Sequence, residues 1–264
     1  MKICVLNSSG NVGKSTVVRE VLYPRLENCE IIEIESYNSS NSQFEMNTKK
    51  FSGDEDFENL YEYLLDENHT IFDIGASEIA NFFENLNEYS GAIQMFDLFV
   101  VPTIADSKMM EDTAKTILFL RSQEIEDEKI KIVFNQVAKS VEQEFSALLN
   151  FEFDFDVEIF IKKSNFFKDL ALLKTTFIEV YNADKKYYKN LIKETNDPLE
   201  KRKLIKRDLL NMGAEKKIKE LDYIFAKITG IDVDTLSTFS FSTAKKQAKQ
   251  QTSKKMEDED DEDL

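Results

Sequence analysis

The chain has 264 residues, of which 42% are hydrophobic and 32% charged, with a formal charge of −16. That apolar content excludes a wholly disordered chain, and the length suits one large domain or one domain with an appended module. Two cysteines, Cys4 and Cys29, cannot build a disulfide framework; no apolar run nears the roughly 20 residues of a membrane helix and no signal segment opens the sequence, so a cytoplasmic protein without a membrane span is expected. The charge divides sharply by segment: residues 1–180 carry a net −17, residues 181–256 a net +8, and residues 257–264 a net −7. The total therefore does not by itself exclude contact with a polyanion.

Short runs rich in Ile, Val and Phe predict strands at Lys2–Asn7, Glu30–Glu35, Thr70–Gly75, Asp97–Pro102, Lys131–Asn135 and Val157–Ile161. Helical patterns lie between them at Lys14–Leu26, Phe57–Asp66, Ser107–Arg121 and Val141–Leu149. Such alternation argues a mainly parallel central sheet flanked by helices and joined by right-handed crossovers. After Ile161 the strand signal fades, and Phe166–Tyr181, Asp184–Glu194, Pro198–Asn211 and Ala214–Thr229 read as helices. Pro198 suits a first helical turn, while Gly213 and Gly230 suit helix ends. The expected division is a nucleotide-binding unit over 1–165, a basic helical extension over 166–236, and a disordered tail over 237–264 that ends in an acidic run.

Directly after the first strand stands Asn7-Ser-Ser-Gly-Asn-Val-Gly-Lys-Ser-Thr16, and a helix follows. Phosphate groups are held by backbone N–H groups converging at a helix start, where the dipole also favours anions. Gly13 permits close backbone approach, Lys14 reaches the β- and γ-phosphates, and the Ser15 hydroxyl ligates Mg²⁺. The loop matches G-x-x-x-x-G-K-[ST], the Walker A pattern, except that Ser8 takes the first glycine position. Asp73 ends an apolar run where a carboxylate would face the Mg²⁺. Glu35 ends the second strand, and two readings fit it: a group that orients the attacking water, or a solvated strand end. Lys14, Glu35 and Asp73 are thus the catalytic candidates. Gly10, Asn11, Val12, Gly13, Lys14, Ser15 and Thr16 are the candidates for holding ATP, with Ser15 and Asp73 for the metal.

These residues resemble the ParA/MinD group of P-loop ATPases, which carry K-G-G-x-G-K-[ST], an acidic I-D-x-D at the end of strand two, and a strand-terminal aspartate. Ser9-Gly-Asn-Val-Gly-Lys-Ser15, Glu33-Ile-Glu35 and Asp73 occupy those places. More narrowly, the Gly-Asn-Val-Gly-Lys-Ser-Thr loop and the Asp-Ile-Gly-Ala-Ser run at 73–77 are similar to StbB-type plasmid stability proteins. The resemblance covers roughly residues 1–165. It implies a P-loop NTPase fold, ATP and Mg²⁺ as cofactors, ATPase activity, and a role in plasmid stability, partition or conjugation. It also implies a plasmid-encoded DNA-binding partner protein and a nucleotide-dependent homodimer. Asn135 falls where the group sets an asparagine against adenine; a strand-terminal turn residue is the other reading. Ser9 replaces the group's signature lysine, which reaches across a dimer to the partner's phosphates. Without it, a nucleotide-gated adaptor with little turnover stands beside the ATPase as an alternative; a small-molecule phosphotransferase is disfavoured because no arginine-rich lid follows.

Ser36–Phe51 follows Glu35 where a nucleotide-sensing switch would sit, or is an ordinary surface loop. Gly75-Ala-Ser77 would admit a γ-phosphate close to the backbone. Residues 185–207 hold the densest basic run, suited to non-specific DNA contact or to docking on the acidic body, with Glu257–Asp263 as a competitor for the same surface.

Overall fold

The computed structural model describes residues 1–35, 46, 48–51, 57–89 and 91–232. Seven strands form one sheet: β1 (Lys2–Val5), β2 (Glu30–Ile34), β3 (Thr48–Phe51), β4 (Thr70–Ile74), β5 (Leu98–Ile104), β6 (Ile130–Val137) and β7 (Phe160–Lys162). Their order is β3-β2-β4-β1-β5-β6-β7, and every pairing is parallel. The helices are α1 (Lys14–Thr16), α2 (Phe57–Leu65), α3 (Ile79–Glu88), α4 (Ser107–Ser122), α5 (Val141–Glu144), α6 (Ser146–Leu149), α7 (Asn165–Leu172), α8 (Phe177–Asn182), α9 (Tyr187–Glu194) and α10 (Pro198–Thr229).

The two-residue period of the strands sorts side chains into two cores. Cys4, Ile32, Ile34, Phe72, Ile74, Phe99, Ile132 and Phe134 join α2 to α6 on one face. Ile3, Val5, Ile31, Ile71, Leu98, Val100 and Val133 face the helical turn Val17–Leu22 and helices α7, α8 and α10 on the other. In the first core Phe72 and Phe82 each meet Phe96 edge-on, and Phe83 meets Phe82 and Phe119 edge-on, as aromatic quadrupoles prefer.

Several expectations are corrected. Strand β3 was not predicted; its Thr-Lys-Lys-Phe is too polar to announce itself and pairs only at the sheet edge. The last strand starts at Phe160 rather than Val157, because the Asp156 carboxylate accepts the Glu158 N–H and turns the chain there. Helix α3 was missed although Ile79, Phe82, Phe83 and Leu86 recur at helical spacing. The single helix expected over 166–181 is two, since Lys174 adopts φ 47 and Thr176 opens α8 with a capping box to Glu179. The 141–149 helix likewise breaks at Phe145. Gly213 ends nothing: α10 runs unbroken through it for 32 residues, capped by Asp197 at the start and by Gly230, at φ 73, at the end. Most of the Ser36–Phe51 switch candidate, and the 237–264 tail, lie outside the described residues.

Candidate nucleotide-binding site

β1 ends beneath the loop, and Leu6 donates to the Val100 carbonyl, which carries the chain over the carboxyl edge of the sheet. Gly13 stands at φ 100 and ψ 24 as the residue before α1, with no side chain capping the helix start. Asn11 is also left-handed, at φ 59, a conformation asparagine tolerates better than most residues. The helical path then widens into a π-helical turn at Val17–Leu22 and tightens at Tyr23–Arg25.

The nominated groups converge. Ser15 Oγ donates to Asp73 Oδ2 at 3.1 Å. Lys14 Nζ folds back onto the loop, donating to the carbonyls of Ser9 at 3.1 Å and Asn7 at 3.3 Å. Burial holds the Lys14 ammonium below the ordinary lysine range, and the nearby Asp73 and Glu35 carboxylates partly offset this. Glu35 therefore shares an electrostatic neighbourhood with Lys14 and Asp73. A Cβ on Gly75 would lie 3.1 Å from Glu35 Cγ, so a glycine at 75 lets the Glu35 side chain lie close to the strand end. Glu33 pairs in register with Asp73 across β2 and β4, and both are buried.

Asn135 lies at the loop, from β6. Its Nδ2 donates to the Val12 carbonyl at 2.9 Å, and its Oδ1 accepts the Gln136 N–H at 2.9 Å. In this structure the amide thus braces the loop.

Sequence reasoning missed a set of anchors on the other side of the loop. Asn7, fully buried, donates to the Pro102 carbonyl and Thr113 Oγ1 and accepts from the Ser9 N–H at 2.8 Å. Ser8 Oγ lies 3.0 Å from both the Asp112 carbonyl and Thr116 Oγ1. Ser9 Oγ donates to Asp112 Oδ2 at 2.6 Å. The position of the signature lysine is consequently tied to α4. Asn7 follows directly on the strand motif, so its place was legible; its partners Pro102 on β5 and Thr113 on α4 are 95 and 106 residues away and were not. Behind the loop, Glu20 is fully buried, pairs with Arg19 at 2.6 Å and accepts the Phe177 N–H at 2.9 Å. Arg25 pairs with Asp222 of α10 at 2.7 Å.

No protein-family model matches the sequence, and no curated protein does. Among solved structures, a chain of the MinC:MinD cell division protein complex of Aquifex aeolicus is similar, at 11% identity over 80% of this chain and 95% of that one, with a TM-score of 0.50. The architecture is the P-loop NTPase fold. The MinD cell division protein of the same organism matches at 13% identity, 80% and 96% coverage and a TM-score of 0.47. A plasmid partition protein of Borrelia burgdorferi B31, bound to AMPPNP, matches at 13% identity, 82% and 98% coverage and a TM-score of 0.44. No helix among the described residues is long and apolar enough to cross a membrane.

Proposed function

We propose that the chain is an ATP-binding and ATP-hydrolysing protein of the ParA/MinD type that acts in plasmid stability, partition or conjugation. The observation that carries this is the Ser15–Asp73 contact at the mouth of a loop whose Gly13 is left-handed and whose half-buried lysine is folded onto loop carbonyls. The donor set suits the group: a hydroxyl and a carboxylate are hard oxygen ligands of the kind Mg²⁺ takes. Bound Mg²⁺·ATP would supply the phosphoryl group and neutralise its charge, with Ser15 and Asp73 holding the metal. Lys14 would leave the Ser9 and Asn7 carbonyls for the phosphates, and residues 10–16 would donate backbone N–H groups to them. Glu35 would orient the attacking water, so that catalysis is mainly positioning and charge stabilisation. Titration calorimetry with Mg²⁺·ATP tests the reading. Micromolar binding that Lys14→Ala weakens at least 30-fold is expected; no binding by the wild type, or binding indifferent to Lys14→Ala, overturns it.

A second reading, a nucleotide-gated adaptor with little turnover, is favoured by one observation: Ser9 is hydrogen-bonded to Asp112 and carries no cation toward a second subunit. Equal steady-state hydrolysis by wild type and Glu35→Gln would select it. A DNA-binding partner protein, a nucleotide-dependent homodimer, a cytoplasmic location and weak non-specific DNA contact through 185–207 belong to the same proposal. Within that segment Lys185, Lys203 and Lys206 are engaged by Glu215, Glu200 and Asp169, whereas Lys189, Lys193, Lys201 and Arg202 enter no ion pair among the described residues. Solution mass measured with and without ATP and duplex DNA separates these partners.

A further inference from the structure

Helix α10 buries one face through Leu204, Asn211, Ala214, Ile218, Leu221 and Phe225, and its opposite face is open. Along that open face Ile205, Leu209 and Met212 follow each other at i, i+4 and i+7, exposed by 42%, 61% and 67%. Lys201 and Arg202 stand before this row and Lys216 and Lys219 after it, all four exposed and outside any ion pair among the described residues. Of the carboxylates in the stretch, Glu215 is paired with Lys185 at 2.7 Å and Glu220 with Lys217 at 2.7 Å, while Asp208, three residues after Ile205 and four before Met212, is half-buried. An apolar row bracketed by cations calls for an occupant that is acidic and has apolar ends.

The chain contains one such segment. Met256-Glu-Asp-Glu-Asp-Asp-Glu-Asp-Leu264 places seven consecutive carboxylates between two apolar residues. We propose that Met256–Leu264 docks in cis on the Ile205–Leu209–Met212 row of α10, its carboxylates meeting Lys201, Arg202, Lys216 and Lys219. The reach is suitable. Twenty-four residues, 233–256, separate the described chain from the acidic run, a length whose random-coil root-mean-square span is about 27 Å. From the end of α10 the axial distance is about 17 Å to Lys219, 27 Å to Met212 and 38 Å to Ile205 at 1.5 Å per residue. The row therefore lies where the tether concentrates its own terminus most strongly, at an effective concentration on the order of millimolar. Docked there, the run covers the basic face against other polyanions, and its release is salt-sensitive.

Zero-length carbodiimide coupling of the full chain at low micromolar concentration, followed by peptide mapping, tests this. Expected are links within one chain from carboxylates 257–263 to Lys201, Lys216 or Lys219, lost in 1 M NaCl. They should fall at least threefold in the triple variant Ile205→Ser, Leu209→Ser, Met212→Ser, which keeps every lysine and alters only exposed positions. Links unchanged by that variant overturn the docking row, and links spread equally over Lys108, Lys139 and Lys163 overturn the site. Links joining ¹⁴N and ¹⁵N chains in a mixed sample assign the row to a second copy instead. Absence of links, with a duplex DNA oligonucleotide protecting the row lysines from acetylation, assigns it to nucleic acid.

Discussion

Substituting Gly13 by alanine tests the geometry of the loop directly. A Cβ built on Gly13 would land on the Asn135 amide nitrogen and lie 3.3 Å from its Cγ, so the methyl group and the Asn135 amide cannot share the space. Two costs follow. Holding an alanine at φ 100 takes about 1–2 kcal/mol. Expelling the Asn135 amide leaves the buried Val12 carbonyl and the part-buried Gln136 N–H without their 2.9 Å partners, at about 1–3 kcal/mol, mostly from the Val12 side. Gly13→Ala is thus expected to lower unfolding stability by about 2–5 kcal/mol in urea titrations, and Asn135→Ala by about 1–3 kcal/mol. The decisive measurement is the double variant. Because Gly13→Ala already removes what Asn135 contributes, the pair should be no less stable than Gly13→Ala alone, with a coupling of about 1–3 kcal/mol. Additive losses would refute the reasoning, since they would mean the two groups do not compete for one site.

Three further outcomes are expected. Gly213→Ala, in the exposed middle of α10 with Phe166 Cε2 at a comfortable 3.9 Å from the new methyl group, should stabilise the chain by about 0.5–1 kcal/mol and raise the thermal midpoint by roughly 2 °C. Asp222→Ala should cost about 3–5 kcal/mol by urea unfolding because it strands the buried Arg25 guanidinium, and Arg25→Leu with Asp222→Leu should recover most of that loss. Burial pushes the Cys29 thiol from its ordinary 9.0 up to about 12, so the folded chain holds this proton more tightly than the unfolded one. The resulting stability is complete below pH 9 and is lost as pH rises toward 12; urea midpoints should fall between pH 8 and pH 10.5, and neither buried cysteine should label at pH 8 faster than the chain unfolds.

What the sequence discloses here is local. The strands buried on both faces, the loop and its lysine, Asp73 at a strand end and the caps of α10 all follow from residue type and spacing over fewer than ten positions. Apart from α3, whose helical spacing is present in the sequence, the elements that escaped are those decided by distant contacts or by a competing local turn. β3 is too polar and short to carry a pattern and exists as a strand because β2 offers an edge. The Asp156 turn overrides the apolar alternation at 157–159, and the Lys174 kink splits what periodicity alone would join. Gly213 shows the reverse: a residue that signals a helix end is carried through because Leu210, Ala214 and Ile218 keep one face of α10 in the core.

The candidate site depends on that long-range part. Loop residues 7–16 are fixed by three separate clamps: Asn7, Ser8 and Ser9 on α4, Asn135 on Val12, and Ser15 on Asp73. The turn that follows is held by Glu20, whose carboxylate accepts the Phe177 N–H of α8, and by the Arg25–Asp222 ion pair to α10, both inside the core. A buried charge pair stabilises little over an apolar substitute but penalises any rearrangement that separates it. Helix α10 is therefore joined to the turn behind the phosphate-binding loop through a stiff ionic link, whereas the loop's α4 side is joined through hydroxyl and amide contacts that are separated at smaller cost. Any shift of the loop on ligand binding should accordingly be taken up on the α4 side, at Ser8, Ser9 and Asp112.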